Sequence, residues 1–150
     1  MNSDNITVNN ASSGDLKEIL DLLTQVQLPH EGVSENLSGF LVARNGSSRL
    51  VGTIGLERHG ATGLLRSAAV APEYQHAGVG SQLTRHLLER ARNDGVERVV
   101  LLTSTARDFF ERRFGFTDTP RTAFDSELAK SAEWNLPRCS GAACMSLNLD

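Results

Sequence analysis

The sequence predicts an α/β (α+β) fold: a mixed, mostly antiparallel central sheet flanked by helices, with one β-α-β crossover at its centre. Three observations carry this reading. The apolar positions of the 150 residues switch between a two-residue and a helical period several times. Three strand-like runs joined by short turn signals follow one another in the first half, as in an antiparallel meander. A helix-length amphipathic run then stands between two apolar strand runs, the arrangement that a parallel pair of strands needs.

Ile6 and Val8 alternate with polar neighbours, which predicts a short first strand. Ser12 and Ser13 offer N-caps, and Leu16, Ile19, Leu20, Leu22 and Leu23 recur at helical spacing to about Gln27. Pro29 ends that helix, so LPHEGVSENLSG reads as a loop with one short helical turn. FLVAR (40–44) and RLVGTIGLE (49–57) are strand patterns, and Asn45-Gly46 with two serines marks a hairpin between them. His59-Gly60 turns the chain into TGLLRSAAV (62–70), a third strand. From about Gly78, Val79, Leu83, Leu87, Leu88 and Ala91 form an apolar stripe, with Arg85, Glu89, Arg90 and Arg92 on the other side. Gly95 is the expected C-cap. RVVLLT (98–103) reads as a buried strand, TARDFFERR as a short helix ending near Gly115, and Phe116 to Asp118 as a further strand. Phe124 to Ser131 has a weak helical pattern, and AACMSLNL (142–149) alternates as a closing strand.

With no repeat, low-complexity tract or linker dividing the chain, residues 1–150 are expected to form one domain, large enough for a real core. At 39% hydrophobic and 22% charged, the composition is that of a soluble globular protein. A formal charge of −3 argues against a nucleic acid or an anionic membrane as partner. No apolar run approaches the roughly 18 residues of a spanning helix, and MNSDNITVNN lacks the basic and apolar regions of a signal peptide. The expected compartment is the cytoplasm. Cys139 and Cys144 read as two free thiols, one of them packed in the core; a disulfide or a soft-metal pair is the alternative, although two cysteines alone make an incomplete zinc site.

The stretch AVAPEYQHAGVGSQLTRHLL (69–88) concentrates small residues where a strand should hand over to a helix. The first N–H groups of a helix lack intrahelical partners and carry the positive end of its dipole. Ala77, Gly78 and Gly80 would let an anion such as a diphosphate reach them without meeting a side chain. The loop is not GxGxxG, and no GxxxxGK[ST] occurs in the chain. The alternative is that the glycines only allow a helix to pack closely on a sheet, and on spacing alone both readings stand.

Gln75-His76-Ala77-Gly78-Val79-Gly80 resembles the Q-x-x-G-x-G acyl-CoA-binding motif of the GNAT superfamily of N-acyltransferases, and AVAPEYQ…LLERA resembles its usual context. FFERRFGF (109–116) resembles that family's second block, and the order of elements agrees over nearly the whole chain. The resemblance implies acetyl-CoA as co-substrate, no metal, and a small-molecule amine as acceptor. A homodimer enters as a family expectation. It places the CoA pyrophosphate on the backbone of Gln75, His76, Ala77, Gly78, Val79, Gly80 and Ser81, and the pantetheine arm on the main chain of Ala68, Ala69 and Val70. An N–H near Ala68 or Val70 would stabilise the oxyanion.

The catalytic groups depart from the family pattern. Its general-acid Tyr is matched by Phe110 when counted from Ala106 and by Glu111 when counted back from Gly115. The single tyrosine, Tyr74, is expected to pack instead. Where some members have a Glu, six residues before the strand's closing valine, stands Leu64. Strand alternation puts Arg66 on the face of Leu64, Ala68 and Val70. An arginine there needs a partner: either the carboxylate or other anionic group of the acceptor, held bidentately, or an ion pair with Glu57 or Glu31. Arg66, Glu57 and Glu31 are therefore the candidate catalytic residues, with His30 and His59 as further candidate bases.

GLLRSAAVAPEYQ, LLTSTARDFFERR and the tail SAEWNLPRCSGAACMSLNL are together similar to the small GNAT proteins associated with arsenic-resistance operons. LLTSTARDFF also resembles the acetyltransferase domain of N-acetylglutamate synthases. Both resemblances imply an amino-acid-like acceptor, an arsenical one in the first case. Thiolates of Cys139 and Cys144 suit trivalent arsenic, while the strand pattern around Cys144 suits a core position.

Overall fold

The capping of the first helix shows how local the folding signals are. The Ser12 N–H and hydroxyl both donate to the Asp15 carboxylate, at 2.9 and 3.2 Å. That backbone hydrogen bond is the main reason the Asp15 carboxyl lies below its ordinary range. After a 3₁₀ turn (Ser13–Asp15), α1 (Leu16–Gln25) buries Ile19, Leu22 and Leu23. It stops short of the predicted Gln27, which adopts a left-handed φ of 63°. The structure, a computed structural model, describes residues 5–137 and 141–149.

The strands are β1 (Thr7–Asn10), β2 (Phe40–Arg44), β3 (Leu50–His59), β4 (Thr62–Val70), β5 (Arg98–Thr103), β6 (Thr117–Asp118) and β7 (Ala143–Asn148). They form a seven-stranded sheet in the order β1-β2-β3-β4-β5-β7-β6. The pairs β1–β2, β2–β3, β5–β7 and β6–β7 are antiparallel, and β4–β5 is parallel. The remaining helices are α2 (Val79–Asn93) and α3 (Arg107–Phe114). This is the mixed, mostly antiparallel α+β architecture that the sequence predicts. Among the described residues no helix is long and apolar enough to cross a membrane.

The chain clusters into two compact units. The first comprises Met1–Leu56 and Ser67–Arg90. Within it, β2 pairs with β3 from Phe40↔Gly55 to Ala43↔Gly52, and a register shift follows at Ala43/Arg44. Gly52 is a point of close approach: a Cβ there would stand 2.9 Å from both the Leu83 and the Val79 side chains. The helix therefore lies directly against the strand. Arg44 joins Asp15 and Glu18 at 2.6 and 2.8 Å, tying β2 to the cap of α1.

The second unit comprises Glu57–Arg66 and Ala91–Asp150. Its parallel pair runs in register from Thr62↔Arg98 to Leu65↔Leu101. Its core holds Leu64, Val100, Phe124, Leu128, Trp134 and Cys144. The Arg121 guanidinium stacks 4.5 Å above the Trp134 ring and also donates to the Trp134 carbonyl. Trp134 Nε1 donates to Asp125 at 3.0 Å. Gly115, at φ 79°, caps α3 with its N–H on the Glu111 carbonyl at 3.1 Å; the left-handed cap suits glycine.

One expected element differs. Phe124–Ser131 is a succession of turns after a 3₁₀ turn at Arg121–Ala123, not a helix. Isolated bonds, Leu128 N–H to Phe124 O and Ser131 N–H to Leu128 O, replace a continuous ladder. Both apolar side chains reach the core this way, and packing overrides a weak helical preference.

Candidate functional site

The strand-to-helix junction is built from backbone. The Gln75 and Ala77 N–H groups turn back onto the Pro72 and Tyr74 carbonyls, at 3.4 and 3.3 Å. Gln75 Nε2 donates to the Val70 carbonyl at 3.1 Å. His76 and Gly78 both adopt positive φ, 69° and 86°. The first helical bond of α2 runs from Gln82 N–H to Gly78 O at 3.0 Å. Residues 75–78 are exposed, whereas Val79 is buried and anchors the helix.

A Cβ on Gly78 would meet nothing within 4 Å, so this glycine is not there for helix–sheet packing. Gly52 has that role instead. What Gly78 provides is a left-handed turn and open space above amides at a helix start, which suits a phosphate group. Tyr74 packs half-buried, its hydroxyl accepting from Asn45 Nδ2 at 2.9 Å.

Along β4 the expected alternation does not run through. Ser67 takes φ 58°, a left-handed conformation inside a strand. Leu64, Arg66, Ser67 and Ala69 are buried, while Ala68 is exposed and Val70 half-buried. The assignment of Arg66 to one face with Ala68 and Val70 therefore fails, because a positive-φ residue rotates the strand between them.

Arg66 is the centre of a buried charge cluster in the second unit. Its side chain is 0% exposed, and Nη1 donates to Glu57 Oε2 at 2.8 Å. The other Glu57 oxygen meets His59 Nε2 at 3.0 Å. Glu133 Oε1 stands 3.6 Å from Arg66 Nε, an ion pair without hydrogen-bond geometry. Of the two partners proposed for Arg66 on sequence grounds, an acceptor anion or a glutamate, the structure provides the glutamate at position 57. Burial pushes the Glu133 carboxyl up to about 7; Glu57 adds to the rise and Arg66 opposes it.

Glu31 lies exposed in the first unit, on the stretch that follows α1. His30 is exposed as well, its Nε2 2.8 Å from the Thr24 hydroxyl. Neither reading of the second block yields an acid: the Phe110 ring is buried against Phe109 and Phe116, and exposed Glu111 pairs with Arg107 at 3.3 Å. Cys144 is a free, buried thiol in the apolar core, raised in pKa chiefly by that burial. Cys139 lies outside the described residues.

Sequence reasoning missed Glu133. It sits in the turn-rich segment before β7, where SAEWNLP offers no motif. Its neighbour Trp134 reads as an aromatic bound for the core, yet Asn135 on the other side of that residue is exposed, so adjacency to Trp134 gives no signal for Glu133.

A mixed sheet with a parallel pair, and a helix between those strands whose start is open to an anion, places the chain among α/β folds with an anion-binding crossover. The chain matches the acetyltransferase (GNAT) family over residues 12–116, and it belongs to that family. Among its relatives is the amino-acid acetyltransferase of Neisseria meningitidis, 27% identical over 135 residues that cover 84% of this chain and 30% of that protein. This chain thus spans about 30% of the length of the curated relatives it matches. The N-acetylglutamate synthase of Neisseria gonorrhoeae, solved with coenzyme A and L-arginine, superimposes with a TM-score of 0.79 at 23% identity over 96% of this chain and 33% of that one. Rv2747 of Mycobacterium tuberculosis, solved with CoA and NLQ, gives 0.80 at 26% identity, covering 96% of this chain and 99% of that one.

Proposed function

We propose that the chain is an acetyl-CoA-dependent N-acetyltransferase whose acceptor is a small amino-acid-like amine. The observation that carries this reading is the junction at residues 75–81 inside a matched acetyltransferase family. A positive-φ glycine there leaves open space above a helix start, which fits a diphosphate. In this reading the backbone from Gln75 to Ser81 holds the CoA pyrophosphate, and the main chain of Ala68, Ala69 and Val70 guides the pantetheine arm. The thioester then meets a free amine. An N–H near Ala68 or Val70 receives the oxyanion as the tetrahedral intermediate forms, and the thiolate departs to water, since Phe110 and Glu111 supply no buried acid. Arg66 and Glu57 enter this reading as a fixed ion pair of the second unit. Glu31, exposed in the other unit, stays a candidate base only.

The amino-acid acceptor is supported by the relatives' names and by the chain's resemblance to N-acetylglutamate synthases. The resemblance to arsenic-associated members extends the acceptor class to amino-acid-like arsenicals. The missing tyrosine favours a second reading, a CoA-binding sensor without turnover.

Thiol release from acetyl-CoA, measured against a panel of amino acids and their phosphinic and arsenic analogues, separates the two. Acceptor-dependent release is the expected result. Calorimetric CoA binding without release in any arm gives the sensor, and absence of heat with every CoA species ends both readings.

A further inference from the structure

The strained part of the strand-to-helix junction is exposed, and what fixes it lies elsewhere in the first unit. His76 and Gly78 both hold positive φ, and a non-glycine residue such as His76 keeps that conformation where its surroundings impose it. Residues 75–78 are exposed, so the restraint comes from the two ends of the segment. At the far end Val79 is buried, and its side chain packs with that of Leu83 over Gly52 of β3. At the near end, three rungs join the β2–β3 hairpin to residues 71–74. The Ala71 N–H donates to the Val51 carbonyl at 2.8 Å, Glu73 meets Arg49 at 2.9 Å, and the Tyr74 hydroxyl accepts from Asn45 Nδ2 at 2.9 Å. All of these residues belong to the first unit. One hairpin thus holds both ends of the loop.

The rungs are unequal. The first is made by backbone, whatever the side chains. Arg49 and Glu73 are each about half exposed, where an ion pair contributes little. The third is specified by side chains at both ends. Asn45 Oδ1 accepts the N–H groups of Ser47 and Arg49, each at 2.9 Å, and this fixes which way the amide points. Its Nδ2 is thereby aimed at Tyr74, and the phenol oxygen receives it. Tyr74 carries the restraint onward through its own main chain. Its carbonyl accepts the Ala77 N–H at 3.3 Å, in the middle of the loop. A continuous path of hydrogen bonds therefore runs from the hairpin turn to the loop backbone.

We propose that Asn45 and Tyr74 are positioning residues for the CoA diphosphate, a role that rests on the acetyl-CoA reading of this loop. Their bond holds the backbone of residues 75–81 in its binding geometry before the ligand arrives, so that the loop is ordered on folding and not on binding. In this role neither side chain touches the ligand, and both act through the amides that do. The consequence is a separation of effects. Losing the bond weakens the grip on the diphosphate and leaves the handling of the thioester and of the acceptor as it was.

The test is calorimetric affinity for CoA in the parent chain, in Tyr74→Phe, in Asn45→Ala and in the double variant. It is joined to the kinetics of acetyl-CoA and of S-acetylpantetheine, a thioester without the diphosphate. Tyr74→Phe keeps the ring and removes only the hydroxyl. It should weaken CoA binding by about three- to tenfold, within the range of one neutral hydrogen bond. KM for acetyl-CoA should rise to match with kcat held, the mark of a lost binding contact, and kcat/KM for S-acetylpantetheine should stay within about twofold of the parent. A role in folding alone would lower stability in urea and leave both CoA affinity and the ratio of the two thioesters in place. The double variant should bind CoA within about twofold of Asn45→Ala, since both changes remove one shared bond. A folded Tyr74→Phe that loses less than about threefold in CoA affinity overturns this role and leaves the acetyl-CoA reading standing. Equal losses with the two thioesters, or losses that multiply in the double variant, do the same. A parent chain that gives no heat with CoA overturns that reading, and this inference with it. Should Asn45→Ala not fold, or the parent bind CoA without turnover, the calorimetry of Tyr74→Phe decides by the same threefold threshold.

Discussion

The loop at residues 75–81 and the cluster around Arg66 obtain charge recognition in contrasting ways. The loop is consecutive in sequence, its first four residues are exposed, and its useful groups are amides. The cluster draws Glu57 and His59 from one strand, Arg66 from the next and Glu133 from a turn-rich segment near the end of the chain. Its groups are side chains that burial strengthens. An exposed backbone site is cheap to build and tolerant of side-chain change. A buried side-chain site is held by mutual compensation, so removing one member should disturb all the others.

The largest effect is therefore expected from Arg66→Ala. It leaves Glu57 and Glu133 buried without their shared cation, and breaking such a pair from one side costs about 3–5 kcal/mol. Urea unfolding at neutral pH measures this. A loss under about 1 kcal/mol would mean that the cluster is hydrated and that the contrast with the loop does not hold.

Glu133→Gln comes next, read through the pH dependence of stability. The Glu133 carboxyl rises from an ordinary 4.5 to about 7 on folding. Between those values the folded state binds more protons than the unfolded one, so the parent loses stability as pH climbs through that window. Below it Glu133 is protonated in both states and contributes no difference; above it the full cost is present, of the order of a few kcal/mol. The neutral glutamine has no such window. The stability of the variant relative to the parent should thus grow from about pH 4.5 to about pH 7 and level off beyond. A pH-independent difference would show that the carboxylate is not held in a desolvated place.

Gly78→Glu tests the loop itself. A non-glycine residue must enter φ 86°, and a carboxylate would then occupy the open space above the amides. CoA affinity should fall on the order of 100-fold, about 2.7 kcal/mol, by calorimetry. Unaltered affinity would remove the loop from the binding site.

The same contrast explains what the sequence made legible. Strands β4 and β5 were readable to the residue, since TGLLRSAAV and RVVLLT each sit between unambiguous punctuation. The loop was readable because its function lies in small residues at consecutive positions. Three things were not. The left-handed Ser67 is set by tertiary surroundings and has no glycine to announce it. The partner of Arg66 could be narrowed to a glutamate or a ligand, but which one depends on where β3 lies. Glu133 follows no pattern at all: it is placed by the turns that seat Phe124, Leu128 and Trp134, a segment whose apolar spacing imitates a helix.

His76→Asn should have the smallest effect, and its smallness is what it tests. His76 is exposed and left-handed at φ 69°, a conformation that asparagine adopts at least as readily. The backbone therefore keeps its turn, and stability should change by no more than about 0.5 kcal/mol. If amides do the holding, CoA affinity should stay within twofold in calorimetry, in spite of a lost imidazole at the centre of the loop. A tenfold loss would mean that this side chain reaches the diphosphate. The loop would then resemble the buried cluster more than its geometry indicates, with recognition residing in a particular side chain and not in the exposed start of α2.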